Sequence, residues 1–404
     1  MKNVAIVNVC DWGSTGKLSL GLQKELIKNG FNAHFCYGRG QKKRGQKCYR
    51  FDYHPEVLLH WLLTQITGLE GLFSSLATWR LIRYLKRIKC DTIYALNLRG
   101  YFINEKMFYN FVGNNNIKLV YIMIDEYAYL GICGYSRGCE GYSDNCRHCA
   151  KGKIKKFWRI FSPGRVLYKI KNNGYNSIKN VVFVGPEYVI KCAGLSPIMN
   201  GRKFEILDEA IDVDQFYPRD NQKFRNELGI KDDQIALVCV APVWYPTKGS
   251  QYFLELARRL ENDNRYIFIQ VGYKEGIFKD LPSNYRPVGF VSDQESLAKY
   301  YSLADLFVFP SFQDTMPNAC LEALACGSPL LCFNTSGMPY IGDETVATFV
   351  EPHSVDELER VVKTINRKNS QQVKTCRDYA LSRYDNKQYA SKLIKIGENS
   401  YDSI

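Results

Sequence analysis

Histidine is scarce in this sequence, five in 404 residues, so a mechanism that needs several imidazoles is disfavoured. No apolar run reaches the length of a bilayer-spanning helix. Nor is a leader peptide apparent: Met1-Lys2-Asn3 runs straight into the strand-like VAIVNV, and the expectation is a cytosolic chain. Internal repeats and low-complexity tracts are absent. So is a P-loop, and the glycine-rich CDWGSTG lacks the third glycine of a dinucleotide fingerprint. Acidic residues are few in one half only. Residues 1–200 hold 12 Asp and Glu against 30 Lys and Arg, a net +18, whereas residues 201–404 hold 29 against 24, a net −5. A basic face suits nucleic acid, anionic lipid or a phosphorylated acceptor.

At 46% hydrophobic and 24% charged the chain is globular, and 404 residues exceed one ordinary core, which points to two domains. The 14 cysteines are scattered, many in apolar runs such as Val238-Cys239-Val240 and Leu331-Cys332-Phe333, and read as reduced, buried, small hydrophobes. The opening is β-loop-α-β: a strand at Val4–Val9, the loop Cys10–Gly16, a helix at Lys17–Asn29 and a strand at Phe31–Tyr37. Loop amides at a helix N-terminus form an anion site, although a tight turn accounts for the glycines equally well.

The stretch from Ala304 to Ile341 organises the rest. A buried strand at Leu306–Phe309 stops at Pro310, a polar loop follows to Asn318, and a short helix over Ala319–Cys326 ends at Gly327. A second strand over Ser328–Phe333 leads into the turn Asn334–Gly337. Asp314 falls beyond the carboxyl end of the first strand, where ligands bind in open α/β sheets, and Glu322 lies in the helix. Paired carboxylates can grip vicinal hydroxyls of a sugar. A capping role for Asp314 and a solvated Glu322 are the plain alternatives, but Glu322 sits among Ala, Leu and Cys, where a lone carboxylate is costly.

Asp314 followed by Glu322-Ala323-Leu324-Ala325-Cys326-Gly327-Ser328-Pro329 resembles the donor-sugar motif of family 4 retaining glycosyltransferases (glycosyl transferases group 1), of the capsular and exopolysaccharide branch. Asp314 stands where that family most often has Glu. The resemblance implies an α/β GT-B fold, two Rossmann-like domains facing across a cleft. Residues 1–200 would bind the acceptor, residues 201–384 the nucleotide-sugar, and the tail 385–404 would pack back on the first domain. Asp208-Glu209-Ala210-Ile211-Asp212 stands for the family's interdomain Pro-Asn-Gly-Ile-Asp.

By the same resemblance Glu322 holds the nucleotide ribose, Asp314 the hydroxyls of the donor sugar, and Lys248 the diphosphate. Gly16, Asn318, Thr335 and Gly337 complete the donor side. Gly13, Arg99, Asp125 and Glu126 form the acceptor side, and Asp314, Asp125 and Lys248 are the catalytic candidates. Three departures stand out. Val243 occupies the place of an Arg that usually precedes the Lys by five positions. Leu96 and Arg99 replace both histidines of a His-Asn-x-His-Gly-Tyr stretch. Ile124-Asp125-Glu126 stands where the branch has His-Asp. The implied activity is transfer of a sugar from a nucleotide-sugar to a glycan or polyprenyl-diphosphate-linked acceptor in surface-polysaccharide synthesis, with no cofactor for the chemistry. A nucleotide-sugar 2-epimerase of the same fold and a non-catalytic nucleic-acid-binding or scaffold protein are the alternatives.

Cys133, Cys139, Cys146 and Cys149 follow a C-x5-C-x6-C-x2-C spacing, with His148 between the last two, in an insertion rich in Gly, Ser and Asn. Such a cluster suggests structural Zn²⁺ held by four thiolates, with free thiols as the alternative. Residues 58–89 read as mostly helical, with Trp61, Trp79 and Tyr84 beside Arg80, Arg83, Lys86 and Arg87. Core packing with a wet basic face is the expectation there, and a membrane-surface helix the alternative. The basic stretch 151–179 interleaves Phe157, Trp158 and Phe161. It fits an anionic membrane better than nucleic acid, and the expectation is a peripheral enzyme on the inner membrane face, docked through residues 151–165.

Overall fold

The computed structural model describes residues 2–41, 45–147 and 162–399. The chain forms two compact units, one running to Asp208 and resuming at Lys387, the other from Glu209 to Asn386. In the first unit lie β1 (Asn3–Cys10), β2 (Asn32–Arg39), β3 (Cys48–Arg50), β4 (Thr92–Ala95), β5 (Lys118–Ile122), β6 (Val181–Gly185) and β7 (Lys203–Ile206). They form one parallel sheet in the order β3-β2-β1-β4-β5-β6-β7. β1 is buried on both faces from Val4 to Val9, which is why it reads as a continuous apolar run. The strand order reverses at β1, between β2 and β4, which opens a switch point at its carboxyl end.

β7 belongs to this sheet, although the sequence reading put the domain boundary near residue 200. It pairs with β6, and the Phe204 ring packs 6.1 Å from Phe183, so the chain leaves the first sheet only after Ile206. The tail helix Asn386–Glu398 is held to the same unit, where Lys118 Nζ donates to the carbonyls of Ile396 (2.8 Å) and Asn399.

The second unit carries β8 (Ile235–Val240), β9 (Tyr266–Val271), β10 (Tyr285–Val288), β11 (Leu306–Phe309), β12 (Leu330–Phe333) and β13 (Ala347–Val350). Their order is β10-β9-β8-β11-β12-β13, again all parallel. Here the order reverses at β8, which places the loops after β8 and β11 side by side.

Two sequence expectations need correction. The first helix, α1 (Gly13–Lys28), begins four residues before the expected Lys17, so Gly13 to Gly16 form its opening turn and not a free loop. The next two helices are α2 (His54–Thr67) and α3 (Ser75–Arg87). Core packing fails for α2. Its buried residues are His60 and Thr64, while Leu58, Leu59, Trp61, Leu62 and Ile66 stay 44–56% exposed. The imidazole sets this orientation. His60 Nδ1 lies 2.6 Å from Ser74 Oγ, and Nε2 accepts from Gly71 N at 3.3 Å, so the ring is satisfied inside. Burial lowers its pKa to about 4 and keeps it neutral.

Candidate functional site

In the second unit, three loops beyond the carboxyl ends of β8, β11 and β12 are tied together through their backbones. Phe312 N donates to Thr247 O at 3.1 Å, and Gly337 N donates to Asp314 O at 2.9 Å. Ser311 Oγ adds a bond to Thr247 O at 3.0 Å. The crossings leave no room for side chains. A Cβ on Gly249, which has φ +77°, would sit 1.8 Å from Pro310 O, and one on Gly337 would sit 1.6 Å from Thr315 O.

On this frame Lys248 Nζ makes an ion pair with Asp314 Oδ2, and Asp314 is only 7% exposed. The Lys248 ammonium also lies 5.7 Å from the centroid of the Phe309 ring. The following helix, Asn318–Ala325, has Pro317 at its N-cap with no side-chain cap, so Asp314 is not a capping residue. Glu322 lies one turn inside and is half-buried; its Oε2 accepts from Tyr301 Oη at 2.8 Å. Burial, then Glu322 itself, raises the Tyr301 phenol well above its ordinary pKa, so Tyr301 is the donor.

Two polar atoms here are buried without a hydrogen-bond partner: Asn318 Oδ1 and Ser250 Oγ. Each belongs to the first residue of a helix, Asn318–Ala325 or Ser250–Arg259. Such orphaned atoms suit a polar ligand that would complete them. Thr335 is half-buried and Gly337 buried in the turn after β12. Val243 is core, its amide donating to Gly272 O at 3.2 Å, so no cation stands there. Sequence reasoning missed Tyr301 and Ser250. Tyr301 is remote in sequence from Glu322 and carried no local signal, whereas Ser250 stood next to the Lys248-Gly249 turn.

In the first unit Asp125 Oδ1 accepts from Tyr127 N at 3.0 Å. Burial pushes its carboxyl up to about 6, opposed by the Tyr127 amide and by the charges of Arg99 and Lys171. Arg99 Nε lies 3.5 Å from Glu70 Oε2, so Asp125 and Arg99 share one electrostatic neighbourhood. The charge of Glu126 also raises Asp125, but its own hydrogen bonds go elsewhere. It is buried, its carboxylate accepts from Ser136 N, and its own amide donates to Gly134 O at 3.0 Å, so it holds the 126–136 turn. Gly13 and Gly16 lie in the first turn of α1, and Leu96 is core. Beneath Asp125, the fully buried Lys171 donates to the carbonyls of Tyr127 (2.6 Å), Leu130 (2.9 Å) and Gly131 (3.0 Å). Glu105, equally buried, accepts from Tyr109 Oη at 3.2 Å and from Tyr127 Oη.

Cys133, Cys139 and Cys146 are half-buried and in no disulfide. Among the described residues no three His, Cys, Asp or Glu side chains are grouped to hold a metal. Cys149, its neighbour His148 and the basic run 151–161 lie outside the described residues.

Residues 234–367, which hold Lys248, Asp314, Asn318, Glu322, Thr335 and Gly337, match the family of glycosyl transferases group 1. The chain carries a glycosyl transferases group 1 domain. The chain is 29% identical over 150 residues to an Escherichia coli UDP-Gal:alpha-D-GlcNAc-diphosphoundecaprenol alpha-1,3-galactosyltransferase, covering 33% of this chain and 38% of that one. A putative colanic acid biosynthesis glycosyl transferase, WcaC of Escherichia coli K12, is 23% identical over 379 residues, 85% of this chain and 88% of that one. The chain spans 37%, 44% and 38% of the length of the first curated relatives it matches. The crystal structure of Anabaena Alr3699/HepE in complex with UDP superposes with a TM-score of 0.67 at 14% identity, covering 98% of this chain and 99% of that one. The fold around the group 1 domain is therefore GT-B.

Proposed function

We propose that this chain is a retaining glycosyltransferase that moves a sugar from a nucleotide-sugar to a glycan or polyprenyl-diphosphate-linked acceptor in surface-polysaccharide synthesis. The observation that carries this reading is the Lys248–Asp314 pair and the Tyr301-held Glu322, mounted on one backbone-tied frame inside the group 1 domain. Lys248, Ser250 Oγ and the first amides of the helix Ser250–Arg259 neutralise the departing diphosphate. Asp314 orients hydroxyls of the donor sugar, and Glu322 accepts from the ribose. Asn318, Thr335 and Gly337 border the donor. Gly13, Asp125 and Arg99 serve the acceptor, whereas Glu126 shapes the turn that presents Asp125.

The relatives named above are glycosyltransferases, which favours transfer over the 2-epimerase and nucleic-acid-binding alternatives. One of them acts on a diphosphoundecaprenol-linked sugar by its name, which supports a lipid-linked acceptor here. Such an acceptor lies in a membrane. The chain would reach it from the surface of an anionic bilayer, on the cytosolic side; among the described residues no helix is long and apolar enough to cross a membrane. A structural Zn²⁺ on Cys133, Cys139, Cys146 and Cys149 is a separate proposal and enters no step of the chemistry.

Thermal shift against UDP-, GDP- and other nucleotide-sugars, followed by product analysis with and without a polyprenyl-diphosphate sugar, tests the reading. Stabilisation by one nucleotide-sugar class and product only with acceptor is expected. Conversion of the nucleotide-sugar without acceptor would shift the assignment to the epimerase, and no stabilisation by any of them would overturn it.

A further inference from the structure

We infer that the outward face of α2, together with the start of α3, is the element that seats this chain on an anionic lipid bilayer. The inference rests on the membrane-surface reading above and is independent of the donor-site assignments.

The face is built the wrong way round for a water-soluble surface. Leu58, Leu59, Trp61, Leu62 and Ile66 project outward from α2, and residues 57–67 contain no Asp, Glu, Lys or Arg. An amphipathic helix normally turns such a stripe to the core. Here the inward positions are His60 and Thr64, and the orientation is locked. The His60 ring meets Ser74 and packs edge-on against Phe73 (5.7 Å) and Tyr101 (5.6 Å), and Glu56 in the first turn of α2 is ion-paired with Arg80 of α3. Rotating α2 to hide its leucines would break all of these contacts.

α3 extends the pattern. Its exposed positions Leu76, Trp79, Arg83 and Lys86 recur at helical spacing, apolar at the start and cationic towards the end. The Arg83 guanidinium lies 4.6 Å over the Trp79 ring. From residue 45 to residue 90 there are seven Lys and Arg and three acids. Asp52 and Glu70 are buried and Glu56 is engaged by Arg80, so the field outside is cationic. An apolar stripe without charges, edged by tryptophan and by long cationic side chains, is the composition of a helix lying in a lipid interface. The unbalanced cations select anionic headgroups. These residues, and not the run 151–165 expected from sequence, carry the inference.

The test uses the full chain and sedimentation with phosphatidylcholine vesicles, with and without phosphatidylglycerol, at low and high salt. The wild type should partition to the phosphatidylglycerol vesicles at low salt. A Leu58→Ser/Leu62→Ser variant should lose about tenfold or more of that partition, and Arg83→Ser/Lys86→Ser should weaken it and flatten its salt dependence. Both sites are exposed, so the melting temperature and the shift with nucleotide-sugar should be kept, which separates this test from that of the donor site. Wild-type sedimentation unchanged by Leu58→Ser/Leu62→Ser would leave the membrane reading standing and overturn the assignment of this face. No binding to either vesicle would overturn both. A wild-type dimer in light scattering that the leucine variant turns into a monomer would give the face to a second copy of the chain and overturn the inference.

Discussion

Replacing Lys171 by methionine tests the interior of the first unit. The ammonium has no solvent contact, donates to three carbonyls of the 127–131 turn, and lies 3.2 Å from the centroid of the Tyr127 ring. It also supplies the largest opposing charge to the buried Glu105. Methionine keeps the stem and removes the charge and donors, so Glu105 stays buried without its cation. Leaving a buried charge uncompensated costs about 3–5 kcal/mol, a large share of the roughly 5–15 kcal/mol that holds a domain. Urea unfolding followed by tryptophan fluorescence reads the right unit, because Trp12, Trp61, Trp79 and Trp158 precede Asp208 and only Trp244 follows it. Adding Glu105→Leu should recover part of the loss, since no charge is then orphaned. The sign with pH is also set. Burial lowers Lys171 from 10.5 to about 8, so between those values the folded chain has released a proton that the unfolded chain keeps. Wild-type stability should therefore rise relative to Lys171→Met across that window. A single variant within about 1 kcal/mol of wild type, or a double variant worse than the sum of its parts, would refute the reasoning.

Other expectations are simpler to read. Glu322→Gln should weaken nucleotide-sugar binding about tenfold and lower turnover with the melting temperature unchanged; unchanged affinity and turnover would remove Glu322 from the site. Lys248→Met should cost at least as much turnover, because it removes the cation paired with Asp314; turnover equal to wild type would show that the pair does not govern activity. Gly249→Ala should give unstable or inactive protein because its Cβ has no space; a fully active variant would mean the loops are not locked. Elemental analysis of protein purified without added metal should show about one zinc per chain for a four-thiolate site, and a metal-free, stably folded chain would end that proposal.

The parts that sequence reading reached are those written in local pattern. Continuous apolar runs such as Val4–Val9 and Leu306–Phe309 announced parallel strands, because a strand covered on both faces has no polar side. Asp314 and Glu322 drew attention through the place of Asp314 beyond a strand end, the apolar setting of Glu322 and the motif they resemble, and the structure puts Asp314 in an ion pair and Glu322 against Tyr301. What was missed depends on contacts distant in sequence. Tyr301 meets Glu322 only because two helices pack together, and Lys171 meets the carbonyls near Tyr127 from another helix. α2 misled for a different reason. Its leucines fit an ordinary buried stripe, and only the contacts of His60 and Glu56 reveal that the stripe faces out.

The backbone knots at Gly249 and Gly337 bear on how this domain can diversify. Because the three loops are joined by main-chain atoms, the frame does not depend on which side chains it displays. Under the proposed function, side chains at Asn318 and Thr335 could therefore be exchanged to accept a different sugar without rebuilding the scaffold. Insertions or deletions between Thr247 and Gly249, or between Pro310 and Asp314, would instead untie all three loops at once. Libraries aimed at a new donor should thus vary residue identity in this region and leave loop length alone.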